Sequence, residues 1–256
     1  MTQSGKHRVK GSYTLMHQAD VTTGLADGLP IGLGYFAVSF AFGLAAVEGG
    51  LSAWVATVIS LTNLTSAGQF AGLQLMLAHR PLVEIALTTV LINLRYMLMS
   101  LSLSQKLAPG TGLAQRLLIG FGVTDEIYAV SVSRPGTIST RYSLSLLLLP
   151  LLGWTGGTLT GALAGSVLPG SVRAALGIAL YAMFVAIVMP TIRQSRPVAL
   201  VAVVAVVVST LIALAPPLAL LRGGWQIILA TVVASALGAV LAPVHMGESS
   251  QAEEVN

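Results

Sequence analysis

The sequence contains no cysteine and very little charge. Without cysteine it has no disulfides, no thiolate metal ligands and no thiol nucleophile. Only 9% of its 256 residues are charged, whereas soluble domains carry about 25%. Hydrophobic residues make up 55% of the chain, and the mean hydropathy is +0.85. A chain of this length cannot hide so much apolar surface from water, so the composition predicts an all-α, polytopic transmembrane helical bundle.

Signatures of enzymes and of nucleic-acid binding are also missing. The sequence has no HExxH, no Walker glycine loop, no G-x-S-x-G elbow and no pair of intramembrane histidines for zinc. Its basic excess, 13 Lys and Arg against 9 Asp and Glu, lies in the tail and the loops, without the interleaved aromatics of a nucleic-acid patch. We therefore expect a chain that is not an enzyme, with no metal, no cofactor and no nucleic-acid partner. With no nucleotide-binding segment, any transport would be driven by a gradient.

Long apolar runs define the organisation of the chain. About 20 apolar residues cross roughly 30 Å of hydrocarbon. Eight segments meet this criterion, with approximate limits 29–47, 52–78, 82–104, 113–132, 143–166, 173–192, 198–220 and 224–242. The second is interrupted by polar residues, so it is either a broken helix or a pair of half-spans, and the count is seven or eight. We expect a cytoplasmic tail over 1–28, a transmembrane transport domain over 29–242 and a disordered acidic tail over 243–256.

The Lys and Arg residues of the loops predict the orientation of the chain in the membrane. With the N-terminus inside, eight lie on the inner side and four on the outer side. The inner residues are Lys6, Arg8, Lys10, Arg80, Arg134, Arg141, Arg193 and Arg196. The outer residues are Lys106, Arg116, Arg173 and Arg222. This excess predicts a cytoplasmic N-terminus.

Three charges lie inside apolar segments. Arg95 follows Asn93 in the third segment, and Asp125 and Glu126 are adjacent in the fourth. A charge at the bilayer centre costs roughly 2.5–3.5 kcal/mol on insertion scales, so it usually faces the protein interior, a partner charge or a water-filled path. Adjacent helical residues point about 100° apart, so one acid can pair with Arg95 while the other binds a substrate ammonium or carries a proton. The alternatives are a purely structural ion pair and charges that lie nearer the interface.

A polar stretch in the second segment is another candidate for substrate binding. It contains Asn63, Ser66, Gly68 and Gln69. Hydroxyls and amides at membrane depth need partners, and glycine lets a helix unwind or another backbone approach. Unwound backbone followed by a half-helix N-terminus can receive a substrate carboxylate. The alternative is polar contacts that only hold helices together.

Small residues predict two helix-packing faces. Gly28, Pro30 and Gly32 mark either the start of a helix with a packing face or a kinked half-helix that lines a substrate path. Further along, a glycine recurs every four residues, which permits close helix packing or the seating of a second subunit. Its members are Gly153, Gly157, Gly161 and Gly165.

A weak internal echo links the two halves of the chain. Leu33-Gly34-Tyr35 resembles Leu152-Gly153-Trp154 at an offset of 119 residues. Secondary transporters often consist of duplicated halves, with binding sites where corresponding broken helices meet. The alternative is chance matching of small apolar residues.

Five motifs together resemble the AzlC family of branched-chain amino acid permeases. They are the stretches 28–34, 39–43 together with 50–52, 66–70, 93–99 and 124–126, of which Asn93-Leu94-Arg95 and Thr124-Asp125-Glu126 are the specific part. The resemblance implies export of valine, leucine, isoleucine and methionine across a prokaryotic cytoplasmic (inner) membrane. It also implies a separately encoded small hydrophobic membrane subunit of the AzlD type as partner. A structural or assembly subunit and a small-solute channel are the alternative functions.

Overall fold

The computed structural model describes residues 3–165, 168–169, 171, 185, 189–190 and 192–241, with side chains from Asp20 onward. Within these ranges the regular structure is helical, apart from one isolated bridge between Leu107 and Ile138. The chain divides into two compact units. Unit 1 comprises Met1–Leu77 and Thr89–Leu180, and unit 2 comprises Ala78–Thr88 and Tyr181–Asn256.

The described residues form nine α-helices and one short 3-10 helix. The α-helices are α1 (Gln3–Glu48), α2 (Ala53–Thr62), α3 (Ser66–Leu77), α4 (Leu82–Lys106), α5 (Leu113–Phe121), α6 (Asp125–Ser133), α7 (Thr140–Ala164), α8 (Arg196–Leu214) and α9 (Gly224–Leu241). The 3-10 helix is Pro216–Leu221. The prediction of an all-α fold is confirmed for the described residues.

Five stretches of the described chain are long and apolar enough to span a membrane, which is fewer than the seven or eight predicted. They are Asp20–Glu48, Leu82–Lys106, Thr140–Ala164, Arg196–Leu214 and Gly224–Leu241. Most of the sixth predicted segment, 173–192, and all of the C-terminal tail, 243–256, lie outside the described residues. The difference within the described part comes from the second and fourth predicted segments.

Helix α1 begins earlier than hydropathy indicates. It runs from Gln3 to Glu48 and passes through Pro30 without a break. The interpretation of Pro30 as the start of a helix is therefore wrong. Proline removes one backbone N–H from a helix, and membrane helices tolerate this where neighbouring helices and side chains satisfy the freed groups. Hydropathy does not detect the first turns of α1 because they are polar.

Helices α1 and α7 pack side by side and run in the same direction. The Ser139 hydroxyl, at the start of α7, donates to Asp20 Oδ2 of α1 at 2.7 Å. Fifteen residues further along each helix, the rings of Tyr35 and Trp154 meet edge to face, with their centroids 5.6 Å apart. Both pairs are separated by 119 residues, which is also the offset of the internal echo. Contacting residues therefore keep a constant offset, as parallel helices require.

Glycines allow the backbones of α1 and α7 to approach closely. A Cβ built on Gly28 would lie 2.5 Å from the carbonyl oxygen of Leu146, and one built on Gly32 would lie 2.7 Å from that of Leu149. On α7 the corresponding contacts are Gly153 with the Gly32 backbone, Gly157 with Phe36, Gly161 with Phe40, and Gly165 with the Leu44 side chain. The glycine face of α7 is thus occupied by α1.

Helices α2 and α3 form a hairpin, hairpin 1, that enters and leaves at the C-terminal end of α1. Helix α2 packs along α7, and near its C-terminal end the hydroxyl oxygens of Ser60 and Thr158 lie 2.7 Å apart. The chain leaves helical geometry at Asn63, which has φ −145° and ψ 100°. Helix α3 then returns along α1, so that Leu77 lies against Gly49. At 10 and 12 residues, each arm is roughly 15–18 Å long, about half of the hydrocarbon thickness.

Helices α5 and α6 form a second hairpin, hairpin 2, that begins and ends at the C-terminal end of α4. Helix α5 leads away from this end, where Arg116 Nη1 donates to the Ser104 carbonyl at 2.8 Å. The chain reverses at residues 122–124. Helix α6 leads back, and Lys106 Nζ donates to the Val132 carbonyl at 2.5 Å. Each arm has nine residues.

The two hairpins enter unit 1 from opposite ends. Hairpin 1 opens beside the C-terminal end of α1, whereas hairpin 2 opens beside the start of α7, where Ile138 N donates to the Lys106 carbonyl at 2.9 Å. The prediction that segment 113–132 is one spanning helix is therefore wrong, and segment 52–78 is the pair of half-spans left open above. Two short apolar helices have the composition of one long helix, so hydropathy cannot distinguish them.

In unit 2 a buried carboxylate joins the start of α4 to the start of α9. Glu84, 4% exposed, accepts from Arg80 Nε at 3.0 Å and from the backbone N–H of Gly224 at 2.6 Å. Arg80 also donates to the Arg222 carbonyl at 2.6 Å. Because a buried charge needs partners, this cluster fixes the turn that precedes α9. Glu84 lies at the start of an apolar segment and belongs to none of the candidate motifs of the sequence.

Candidate functional site

Arg95 and Asp125 form an ion pair at the turn of hairpin 2. Arg95 Nη2 lies 2.9 Å from Asp125 Oδ2, and the two side chains are 52% and 47% exposed. The same nitrogen donates to the Tyr96 hydroxyl at 3.0 Å, and the guanidinium lies 4.9 Å from the centroid of the Tyr96 ring. Of the two adjacent acids, Asp125 is therefore the partner of Arg95. The pair is therefore not sealed in the interior of the described part of the chain.

Glu126 has a different set of partners from its neighbour. The Tyr35 hydroxyl lies 2.6 Å from Glu126 Oε2 and 2.5 Å from Thr124 Oγ1. A phenol has one proton to donate, and the carboxylate is the stronger acceptor. Within the described residues Glu126 forms no ion pair, and its side chain is exposed. Glu126 thus presents an uncompensated negative charge beside the Arg95–Asp125 pair.

The local sequence explains why the chain reverses at this point. Gly122 ends α5, and its N–H donates to the Ile119 carbonyl at 3.0 Å. Thr124 then caps α6, since its Oγ1 accepts from the N–H of Ile127 at 3.4 Å. Asp125 and Glu126 occupy the first turn of α6, where negative charge is favoured by the helix dipole. The Thr-Asp-Glu motif is therefore the beginning of a helix and not the middle of one.

At the turn of hairpin 1, the polar residues contact α4. Thr65 Oγ1 donates to Asn93 Oδ1 at 2.7 Å. A Cβ on Gly68 would also lie 2.7 Å from this oxygen, so glycine makes room for the Asn93 amide. The side chains of Asn63 and Ser66 are half-buried and form no hydrogen bond within the described part of the chain. Asn93 and Arg95 thus connect one helix to the turns of both hairpins.

Gln69 is buried and hydrogen-bonded at both ends of its side-chain amide. Its side chain is 2% exposed. Its Nε2 donates to Ser60 Oγ at 2.5 Å, and its Oε1 accepts from Trp154 Nε1 at 3.1 Å. Ser60 in turn shares a hydrogen bond with Thr158 of α7. Gln69 therefore holds hairpin 1 against α7, and both ends of its amide have a protein partner.

A third charged cluster closes the end of unit 1 where α7 begins. Arg134 Nη1 lies 3.4 Å from Asp27 Oδ2, and the Tyr142 hydroxyl donates to the same oxygen at 2.8 Å. The Arg134 guanidinium lies over the Tyr142 ring, 4.0 Å from its centroid. These contacts tie α1 and α7 to the end of hairpin 2. Among the described residues, no group of three or more His, Asp or Glu could hold a metal ion.

Comparison with known proteins places this arrangement in a family. The family model described as AzlC protein matches residues 30–168. The chain belongs to the AzlC family. It is 33% identical over 183 residues to an uncharacterized membrane protein of Archaeoglobus fulgidus, which covers 71% of this chain and 80% of that protein. It is 29% identical over 220 residues to the inner membrane protein YgaZ of Escherichia coli, covering 83% of this chain and 87% of that one. No solved structure matches the chain.

The AzlC match covers the candidate site. It begins at Pro30 within α1 and ends just after α7, so it contains both hairpins and all eight candidate binding or coupling residues. Helices α8 and α9 lie outside it. The family assignment and the relatives' names make this chain a multi-pass membrane protein. The part of the chain that matches the family is therefore the part that forms the hairpins and the charged turn.

Sequence reasoning missed several residues that the fold brings to the site. Tyr35 and Trp154 were visible only as members of the internal echo. Asp27 was assigned to the tail and Arg134 to a loop, and their contact joins residues 107 positions apart. No local pattern contains such a pairing. By contrast, Gly122 followed by Thr124 and two acids is a recognisable helix stop and start, and it would have located hairpin 2.

Proposed function

We propose that this AzlC-family chain exports branched-chain amino acids, namely valine, leucine and isoleucine, and also methionine, by gradient-driven secondary transport. The observation that carries the proposal is the exposed Glu126 carboxylate without a counter-charge, next to the Arg95–Asp125 pair. An amino acid zwitterion has one charge of each sign, and this turn offers both. Charges inside apolar segments commonly mark substrate or proton paths.

In the proposed binding mode, the substrate ammonium pairs with Glu126. The carboxylate is received by Arg95 or by the N-terminal end of α3, near Asn63, Ser66 and Asn93. Helix N-termini favour anions, and opposed broken helices provide such ends in other secondary transporters. Protonation of an acid at this turn would couple transport to a proton gradient. Gln69 is left out of direct binding, because both ends of its amide already have protein partners.

We further propose that the chain works in a prokaryotic cytoplasmic membrane with a small hydrophobic AzlD-type subunit. The name of the Escherichia coli relative, an inner membrane protein, supports the location. The exposed apolar side chains of α4 and α8 are compatible with lipid or with such a subunit. The partner is suggested by the family resemblance.

Counterflow in proteoliposomes tests the proposed function. Vesicles loaded with unlabelled leucine, valine or methionine and containing the purified chain should accumulate the labelled amino acid transiently, with and without the small subunit. Uptake should saturate, because a carrier has a limited number of sites. Flux without saturation would indicate a channel, and no flux of any of the three under either condition would contradict the proposed substrate class.

We also propose that the end of unit 1 at which α7 begins faces the cytoplasm. The reversal of hairpin 2 moves Lys106 and Arg116 from the outer side to the end that holds Arg134 and Arg141. The opposite end of unit 1 carries no Lys or Arg among the described residues. Positive charge concentrates on the cytoplasmic side, which supports a cytoplasmic location for this end of unit 1.

Labelling of single cysteines tests this topology, since the natural chain has none. We expect Glu48→Cys, at the end of α1, to react with a membrane-impermeant maleimide in intact cells. Pro109→Cys, in the exposed loop after α4, should react only after the cells are opened, because hairpin 2 does not cross the membrane. Reaction of Pro109→Cys in intact cells, with Glu48→Cys protected or equally reactive, would contradict the topology.

A further inference from the structure

Tyr35 of α1 and Trp154 of α7 lie between the turns of the two hairpins. The rings meet edge to face at a centroid distance of 5.6 Å and an interplanar angle of 72°. This is a favourable aromatic geometry. Trp154 is 2% exposed, so its ring has little freedom to move without displacing its neighbours. The pair is therefore a packed contact at the centre of unit 1.

The polar atom of each ring forms a hydrogen bond with a different hairpin. The Tyr35 hydroxyl contacts Glu126 at 2.6 Å, at the start of α6 in hairpin 2. The Trp154 indole N–H donates to Gln69 Oε1 at 3.1 Å, at the start of α3 in hairpin 1. Gln69 in turn donates to Ser60, on the other arm of hairpin 1. An unbroken series of contacts thus runs from the acid of one hairpin to both arms of the other.

Alternative routes between the hairpins do not use these atoms. Asn93 and Arg95 also connect the two turns, but they do so along a single helix and contact Thr65 and Asp125. Among the described residues, Glu126 forms neither a hydrogen bond nor an ion pair with any of these four. Within the described residues, the side chain of Glu126 has one hydrogen-bond partner, Tyr35. The hydrogen bond from Tyr35 to Glu126 therefore links this acid to hairpin 1 through the aromatic pair.

We propose that Tyr35 is a positioning residue for Glu126 and that, together with Trp154, it transmits the occupancy of Glu126 to hairpin 1. The inference rests on the proposed function, because Glu126 is the residue assigned to the substrate ammonium. Binding of a cation at Glu126 competes for the oxygen that Tyr35 contacts, so the Tyr35 ring shifts against the indole. The indole N–H then changes its hold on Gln69. Two hairpins that open at opposite ends would in this way respond to one bound substrate.

The fluorescence of Trp154 provides a readout that does not require transport. Replacing Trp54 and Trp225, which are 72% and 41% exposed, with Phe leaves Trp154 as the only tryptophan. In substrate-free protein we expect Glu126→Gln to shift the Trp154 emission maximum. The shift should be lost when Tyr35 is replaced by Phe, which keeps the ring but removes the hydroxyl. Tyr128→Phe is the matched control, because Tyr128 lies on α6 but contacts Ser102 instead of an acid.

Transport kinetics give the second part of the test. Tyr35→Phe should raise the KM for leucine about tenfold, as expected for loss of a hydrogen bond to a charged group, with a smaller change in maximal rate. Tyr35→Phe and Trp154→Phe together should cost less than the product of their separate effects, since residues of one network are not additive. Tyr128→Phe should leave both kinetic constants within about twofold of the wild type, because Phe keeps the packed ring and the lost hydroxyl contacts Ser102 instead of an acid.

The inference would be overturned if Glu126→Gln shifted the Trp154 emission equally with Tyr35 and with Phe at position 35. Such a result would mean that the charge of Glu126 acts on the indole through space and not through the Tyr35 hydroxyl. The absence of any shift in both would overturn it as well. If the shift depends on Tyr35 but the wild type moves none of the three amino acids, the proposed substrate is wrong and the coupling between Glu126 and hairpin 1 stands.

Discussion

Replacing Arg95 or Asp125 with Ala is expected to reduce amino acid efflux to less than about one tenth of the wild-type rate, a change equivalent to about 1.4 kcal/mol. Each replacement removes one member of the 2.9 Å ion pair and leaves the other charge uncompensated beside Glu126. An unpaired arginine would attract Glu126 away from a substrate ammonium, and an unpaired Asp125 would add a second negative charge. The measurement is efflux from preloaded cells, normalised to the amount of protein in the membrane.

The matched control and the charge swap separate transport from architecture. Arg141→Ala removes an exposed arginine at the start of α7 and should leave efflux unchanged. Exchanging the two charges, with Arg95→Asp and Asp125→Arg in one chain, restores an ion pair but places a cation in the first turn of α6. If the pair only locks helices together, the swapped protein regains wild-type efflux, and direct participation is excluded. Full efflux from both single variants would exclude it too.

Gly157→Ala is expected to destabilise the protein strongly, by roughly 3 kcal/mol, the upper end of the usual cost of overpacking. A Cβ at Gly157 would overlap Ser39 Oγ and the carbonyl oxygen of Phe36, and backbone atoms of a packed helix cannot move aside independently. Helices α1 and α7 would have to separate along their whole contact. Thermal unfolding in detergent should show a lower midpoint and, in the membrane, a lower protein level.

The neighbouring glycine offers a control that differs by one residue. A Cβ at Gly156 would meet no atom within 4 Å. Because alanine is favoured over glycine in a helix by roughly 1 kcal/mol, Gly156→Ala should leave the midpoint unchanged or raise it. Equal midpoints for the two variants would mean that α1 and α7 do not pack as closely as described.

The helical class of this protein and its longest apolar helices were predictable from sequence because composition and hydropathy report them directly. The interruption at Asn63 was also visible, since polar residues broke an apolar run. The direction of the chain after each interruption was not visible. Hydropathy scores residues without regard to direction, so α5 and α6 together resemble one span of residues 113–132. Only the capping pattern at Thr124 distinguishes them.

The pairing of the site was predictable in outline and not in detail. The energetic cost of isolated charges pointed to a partnership between Arg95 and one of two acids. Which acid pairs with Arg95 depends on where α6 begins, because the first residue after the helix cap, Asp125, points in a different direction from the second, Glu126. The role of Tyr35 at Glu126 depends on a contact between residues 91 positions apart. Such contacts follow from the packing of α1, α6 and α7 and leave no periodic pattern in the chain.

We propose that the substrate ammonium binds at Glu126, and equilibrium binding of labelled leucine to the purified protein tests this most directly. We expect the wild type to bind leucine and to discriminate against 4-methylpentanoate, which has the same apolar chain and carboxylate but no ammonium. Glu126→Gln, which preserves shape but removes the charge, should lose at least about tenfold in leucine affinity, the change that 1.4 kcal/mol produces. Its affinity for 4-methylpentanoate should not fall. Equal leucine affinity in the wild type and Glu126→Gln would contradict the assignment.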